Sequence, residues 1–97
     1  MPTFIALLNF TEKGLGSIKE TTRRADAFRQ QAATAGVTVR EVFWTVGAYD
    51  GAIVADAPDA ASMTAAMLSL ARQGNVRTQT LAAFNAQEIT AILGKVA

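Results

Sequence analysis

An almost continuous apolar run, TFIALLNF, extends from Thr3 to Phe10 and has the length of one β-strand. Its apolar residues occupy both alternating sides, with Phe4, Ala6, Leu8 and Phe10 on one and Ile5 and Leu7 on the other. A strand whose two faces are both apolar is typical of burial on both sides. The first strand therefore predicts a sheet that is covered on each face.

A single amphipathic helix is predicted after this strand. Ser17 followed three positions later by Glu20 has the pattern of a capping box at a helix start. Apolar residues then recur at helical spacing as far as Ala35, and Gly36 is suited to end the helix.

The second strand is predicted over Val37–Val46, where β-branched and aromatic residues are dense. Strict alternation places Val37, Val39, Glu41, Phe43 and Thr45 on one side and Thr38, Arg40, Val42, Trp44 and Val46 on the other. The segment GAYDG then turns the chain into a short third strand, AIVAD, which ends at Asp56.

The second half of the chain repeats the alternation of helix and strand. A helix is predicted to begin near Pro58 and Asp59 and to end at Gly74, with Met63 and Met67 as core-filling residues. The fourth strand follows over Asn75–Phe84. Asn85 and Glu88 then mark the start of a closing helix whose apolar face contains Ile89, Ile92, Leu93 and Val96.

The predicted order, β-α-β-β-α-β-α, is that of an α+β fold of ferredoxin-like type with an extra C-terminal helix. The 97 residues form one domain, 1–97. Two helices cover one face of such a sheet, whereas the apolar first strand requires cover on the other. A second copy of the chain supplies it, so we expect a two-fold homodimer packed sheet to sheet, of the dimeric α+β barrel kind.

Composition removes several classes of function. A net charge of +1 is too small to attract nucleic acid or an anionic membrane electrostatically. No segment has the roughly 20 apolar residues of a membrane span. The absence of cysteine and histidine removes thiol nucleophiles, imidazole bases and the usual ligands of zinc or haem, so no cofactor or metal is predicted. We expect a cytoplasmic protein.

Tyr49 and Asp50, with Gly47 before them and Trp44 nearby, are the first candidates for a catalytic site in the chain. A tyrosine hydroxyl is a weak acid and a carboxylate a weak base at neutral pH, and neighbours on a strand point to opposite faces. We therefore favour a structural role, in which Asp50 bonds to N–H groups of the turn and Tyr49 packs its ring. Trp44 is interpreted as a core or interface residue rather than a ligand contact.

Four hydrogen-bonding side chains follow one another in NVRTQT, from Arg77 to Thr80. The topology places this strand centrally or at a barrel seam, where buried polar groups need partners. They could bind a small polar ligand. We favour hydrogen bonds between subunits, because a two-fold axis gives each Arg77 a partner group without any ligand.

Four blocks of sequence resemble the GYD family of small bacterial proteins, named for a Gly-x-Tyr-Asp signature. The blocks are LLNFTEKG near the start, VGAYDG with Gly47, Tyr49 and Asp50, APD at Ala57–Asp59, and GNVRTQTLAAF from Gly74 to Phe84. The resemblance implies a ferredoxin-like fold related to dimeric α+β barrels. It implies no particular activity.

Three functional classes fit this fold. The first is a non-catalytic homo-oligomer, or one that binds a small ligand in the cleft between sheet and helices, with Trp44, Gly47, Tyr49, Asp50, Arg77 and Gln79 as candidate site residues. The alternative is a cofactor-free oxygenase or isomerase, which rests on fold analogy. RNA binding ranks last, because the fourth strand has no aromatic residue among Val76–Ala82 and the chain is nearly neutral.

Overall fold

A computed structural model describes all residues from 1 to 97. Four strands and four helices follow one another, with a 3₁₀ turn at Ile18–Glu20 between the first two helices. They are β1 Thr3–Phe10, α1 Glu12–Gly16, α2 Thr21–Thr34, β2 Thr38–Trp44, β3 Gly51–Asp56, α3 Ala60–Ala71, β4 Val76–Ala83 and α4 Ala86–Leu93.

The strands form one antiparallel sheet in the order β2-β3-β1-β4. This is the ferredoxin-like arrangement, and it confirms the predicted α+β class. The fourth strand lies at the sheet edge beside β1, so of the two predicted places the central one is wrong, and a barrel seam stays a prediction. An edge strand leaves one row of backbone N–H and C=O groups unpaired within the chain.

One face of the sheet packs against α2 and α3. Phe4 and Ala6 of β1 are buried there beside Ile53 and Ala55 of β3. The helices contribute the remaining core side chains, chiefly Phe28, Ala32, Met63, Ala66 and Met67. Met63 and Met67 are thus core residues, as predicted. We call the opposite face, which no helix covers, the open face.

The second strand departs from strict alternation. A bulge between Val39 and Glu41 shifts its register against β3. Val39 and Val42 consequently both pack against the core, whereas period-two alternation assigned them to opposite sides. The prediction was wrong here because one extra residue resets the alternation of every side chain after it.

The single predicted helix from Ser17 to Ala35 is instead two helices joined by a 3₁₀ turn. Thr11 begins α1, and its hydroxyl accepts from the N–H of Gly14 at 3.1 Å. The predicted capping box at Ser17 and Glu20 is absent, because the Ser17 hydroxyl donates to the carbonyl of Lys13 at 3.3 Å. The Glu20 carboxylate accepts from Arg23 Nε at 2.7 Å instead.

The predicted capping box at the other end of the chain is present. Asn85 Oδ1 accepts from the N–H of Glu88 at 2.8 Å, and Glu88 Oε1 accepts from the N–H of Asn85 at 2.9 Å. No residue of α4 is buried. Its apolar side chains Ile89 and Leu93 are 42% and 61% exposed, so the predicted amphipathic face of α4 is largely uncovered within the chain.

Candidate functional site

The signature residues build the loop that joins β2 to β3. The N–H of Thr45 donates to the carbonyl of Asp50 at 2.9 Å, and the Thr45 hydroxyl donates to the carbonyl of Tyr49 at 2.6 Å. Gly47 has φ +129°, a conformation that residues with a Cβ rarely adopt. Glycine is therefore needed at this position to close the loop.

Asp50 fastens this loop to the end of β1. Its backbone N–H donates to the carbonyl of Leu8 at 2.8 Å, and its Oδ2 accepts from the N–H of Phe10 at 2.9 Å. We expected Asp50 to bond within its own turn. The bonded group instead lies forty residues away in sequence, so this bond of Asp50 stabilises tertiary structure.

Tyr49 reaches across the open face. Its hydroxyl donates to Oε1 of Gln79 on β4 at 2.8 Å. Close by, Asn9 Nδ2 donates to the carbonyl of Ala48 at 3.0 Å. These two bonds connect the β2–β3 loop to β1 and β4 on the side of the sheet opposite the helices.

A cleft opens on the helix side, between the sheet and α2. Trp44 lines it and donates from Nε1 to the hydroxyl of Thr21 at 3.0 Å. Asp50 lines it as well, together with Leu8, Phe10, Arg24, Ala25, Phe28, Val42, Phe43, Gly51, Ile53, Leu70, Gln73, Asn75 and Val76. The cavity volume is about 50 Å³, which is room for a few water molecules.

The candidate site residues are thus divided between the two sides of the sheet. Trp44 and Asp50 line the cleft, whereas Tyr49 and Gln79 meet on the open face. Arg77 lies on the open face also, since it is paired in register with Asn9. No group of three or more Asp, Glu, His or Cys side chains converges in a way that could hold a metal ion.

The Gly-x-Tyr-Asp loop lies within residues 4–93, which match the family model of the GYD domain. The chain belongs to the GYD domain family. This match runs from the start of the first strand to the end of α4.

Two proteins of Thermus thermophilus are similar to this GYD domain. One is named glutamine synthetase and cystathionine beta-lyase binding protein, and it is 36% identical over 94 residues, which cover 96% of this chain and 99% of the relative. The other is TTHA0845, whose crystal structure is similar to this chain with a TM-score of 0.57 and 24% sequence identity. The similarity covers 89% of this chain and 96% of that one. The second likeness supports the fold alone.

The open face of the GYD domain has an apolar centre. Ile5 and Leu7 of β1 lie there beside Ala52 and Val54 of β3, to which they are paired in register. At the two edges, Phe43 is 52% exposed and Leu81 is 41% exposed. The apolar side of β1 was predicted, whereas the bulge in β2 moves Phe43 to the face opposite Val39, with which strict alternation had grouped it.

The junction that holds α1 against the start of β4 was not predicted from the sequence. The N–H of Thr11 donates to the carbonyl of Asn75 at 3.1 Å, and the Thr11 hydroxyl donates to the carbonyl of Gly74 at 2.5 Å. Lys13 Nζ donates to the carbonyl of Gln73 at 2.6 Å. The conspicuous block LLNFTEKG therefore stabilises the fold at this corner.

Charge is spread thinly over the domain. The carboxyl of Asp59, the residue before α3, has a lowered pKa. A hydrogen bond from the backbone N–H of Ser62, at 2.8 Å, and one from the Ser62 side chain hold the pKa of the Asp59 carboxyl below its ordinary value. These hydrogen bonds are those of a helix N-cap, and they lie apart from the GYD loop. None of the helices has the length and hydrophobicity of a membrane span.

Proposed function

We propose that this GYD protein is a non-catalytic homo-oligomer that binds other proteins. The observation that carries the proposal is the uncovered apolar centre of the open face, formed by Ile5, Leu7 and Val54 with Leu81 at its edge. Contiguous apolar surface on a small domain marks an interaction site. The proposed unit is a homodimer in which two open faces pack together, in the manner of dimeric α+β barrels.

The division of the candidate residues supports a non-catalytic role. Tyr49 and Arg77 lie on the face opposite the cleft that contains Trp44 and Asp50, so these four side chains do not converge on one substrate. The cleft volume of about 50 Å³ is also well below the roughly 300–1,000 Å³ of ligand sites. The alternative of a cofactor-free oxygenase or isomerase is correspondingly less well supported.

The Thermus relative supports the choice of proteins as binding partners, since it is named as a binding protein for two enzymes. We extend that property to this chain and propose glutamine synthetase and cystathionine β-lyase as the first partners to test. The proposal includes a cytoplasmic location in a bacterium, because both are enzymes of amino-acid metabolism. The exposed apolar side of α4, with Ile89 and Leu93, offers surface beyond the dimer for such contacts.

Sedimentation velocity over a range of concentrations tests the homodimer. We expect a dimer for the wild type and a shift to monomer for Leu81→Glu, since a carboxylate would be buried between the two sheets. Leu68→Glu is the matched control, because Leu68 is 64% exposed on α3, away from the open face. A wild-type monomer at high concentration, or equal effects of the two variants, would contradict the proposal.

Biolayer interferometry with purified glutamine synthetase and cystathionine β-lyase tests the partners. We expect saturable binding of at least one enzyme. The turnover of an enzyme that does not bind should be the same with and without the GYD protein. An unrelated protein of similar charge serves as the control surface. Failure of both enzymes to bind at high micromolar concentration would contradict the choice of partners and leave the homodimer test unaffected.

A second candidate function is the binding of a small ligand in the cleft. It is favoured by one observation, that Trp44 and Asp50 line the same cavity. Trp44 is the only tryptophan in the chain, so its fluorescence reports directly on the cleft. Titration with small aromatic amines should change this fluorescence saturably if the cleft binds ligands, whereas an unchanged spectrum would remove this candidate.

A further inference from the structure

Two unpaired charges of opposite sign stand at opposite edges of the open face. Arg77 lies on the edge strand β4, in register with Asn9, and Glu41 lies on the edge strand β2, in register with Val54. Both residues are exposed, and neither is in a salt bridge. The only ion pair on this face is that of Arg40 with Asp56, at 3.6 Å. Glu41 is therefore the free carboxylate of its edge.

Arg77 and Glu41 are too far apart to meet within one chain. Three strand spacings of about 4.8 Å separate β4 from β2 across the sheet. Along the strands, Arg77 is level with Asn9 and Glu41 is level with Ile5, and four residues span about 14 Å. The two Cα atoms are consequently about 20 Å apart. The two residues therefore cannot pair with each other within one chain.

We propose that Arg77 of each copy pairs with Glu41 of the other in the homodimer, and that these two pairs fix the direction in which the two sheets cross. This inference rests on the sheet-to-sheet homodimer of the proposed function. It adds the orientation of the copies, and it gives Arg77 and Glu41 a role in choosing that orientation.

The register of the sheet decides which orientations bring the charges together. We place the two-fold axis in the plane of the interface, through the middle of the apolar centre. An axis parallel to the strands lays β4 over the partner's β2 but leaves the two charges about 14 Å apart along the strands. An axis perpendicular to the strands keeps β4 over β4, so Arg77 remains across the sheet from Glu41.

An axis diagonal to the strands makes the two sheets cross at about 90°, which is one of the two preferred packings of sheets. One diagonal carries Arg77 to within about 5 Å of the partner's Glu41 in projection, and by symmetry it forms both pairs. The other diagonal brings the two copies of Arg77 together. Long arginine and glutamate side chains at the sheet edges can span the remaining gap of about 10 Å between sheets.

Ion pairs at the rim of an interface contribute more to orientation than to affinity. The apolar centre is nearly symmetric about the middle of the sheet, so by itself it distinguishes poorly between the two diagonals. One diagonal axis brings Arg77 next to the partner's Glu41, and the attraction favours it. The other brings the two copies of Arg77 together, and the repulsion disfavours it.

Charge reversal and charge exchange test the pairing. Arg77→Glu and Glu41→Arg should each raise the dimer dissociation constant about tenfold, because each converts two attractive pairs into repulsive ones. The double variant exchanges the charges and should return to within about threefold of the wild type. Arg72→Glu, a reversal on an exposed residue at the end of α3, is the control for net charge and should leave the constant unchanged.

Crosslinking gives a second measurement that does not depend on affinity. The chain has no cysteine, so Arg77→Cys and Glu41→Cys introduce unique thiols. With a short bismaleimide, a mixture of the two variants should form covalent dimers, whereas each variant alone should not. If Arg77→Cys crosslinks to itself, or the double charge variant fails to recover, the inference is overturned although the dimer stands. A wild-type monomer would instead overturn the proposed function.

Discussion

The Tyr49 hydroxyl donates a 2.8 Å hydrogen bond to Oε1 of Gln79, thirty residues farther along the chain. The bond crosses β1 on the open face and joins the loop after β2 to the edge strand β4. The most conspicuous side chain of the Gly-x-Tyr-Asp signature is therefore engaged with the sheet surface on which the proposed interface lies, and its hydroxyl does not face the cleft.

Removal of this hydroxyl should cost a modest amount of stability. Tyr49→Phe keeps the ring and loses one partly solvated hydrogen bond, so the free energy of unfolding should fall by about 0.5–1.5 kcal/mol. Urea denaturation at a fixed protein concentration measures it. Gln79→Ala should lower stability too, and the double variant should add little to either single change. Strict additivity of the two would show that the side chains are not coupled.

Asp50 should be more important for stability than Tyr49. Asp50→Ala removes a charged acceptor from the half-buried N–H of Phe10, so we expect a loss of about 1.5–3 kcal/mol. Asp50→Asn retains an amide oxygen that can accept the same bond, and its loss should be smaller. Thermal or urea unfolding of both variants checks the order, and an Asp50→Ala variant as stable as the wild type would disprove the role of the carboxylate.

Gly14 should be intolerant of any side chain. A Cβ at this buried position would overlap the carbonyl oxygen of Asn75, a backbone atom that cannot move aside. We expect Gly14→Ala to lower the free energy of unfolding by about 1–3 kcal/mol or more. Gly16→Ala, two residues later in the same helix, meets nothing within 4 Å and should be neutral or stabilising. Equal effects of the two substitutions would contradict the close approach of α1 to Asn75.

Asp59 should give the protein a defined pH dependence. Its pKa is lower in the folded state than in the unfolded state, so its stabilising contribution is present above the unfolded pKa and disappears as the pH falls through the folded pKa. The stability difference between wild type and Asp59→Ala should accordingly shrink in acid. Asp59→Asn caps α3 without a charge, so its difference from Asp59→Ala should not vary with pH in that range. Urea denaturation from neutral to strongly acidic pH measures both differences.

The order of the four strands along the chain and the two sides of β1 were predictable because they depend on local sequence. The alternation in β1 is as predicted, and so are the helix starts at Asp59 and Asn85, where each side chain bonds to a backbone N–H three residues away. Such interactions lie within one turn of chain, so composition and spacing specify them. The family signature in Gly47–Asp50 likewise marked the β2–β3 connection.

Only the tertiary structure decided where the polar residues would meet. The bulge after Val39 depends on how β2 pairs with β3, and no local pattern in the sequence of β2 predicts the extra residue at the bulge. Ser17 and Glu20 have the sequence of a capping box, yet the chain begins its helix at Thr11, because α1 is held by the backbone of Gly74 and Asn75.

The same distinction applies to the signature itself. Its sequence placed Tyr49 and Asp50 side by side and indicated a turn. In the folded sheet, the Asp50 carboxylate accepts from the N–H of Phe10 and the Tyr49 hydroxyl donates to Gln79, so the two side chains bond to separate strands. Contacts between residues thirty or forty positions apart are fixed by strand order and register, which arise from the packing of the whole chain and not from any short stretch of it.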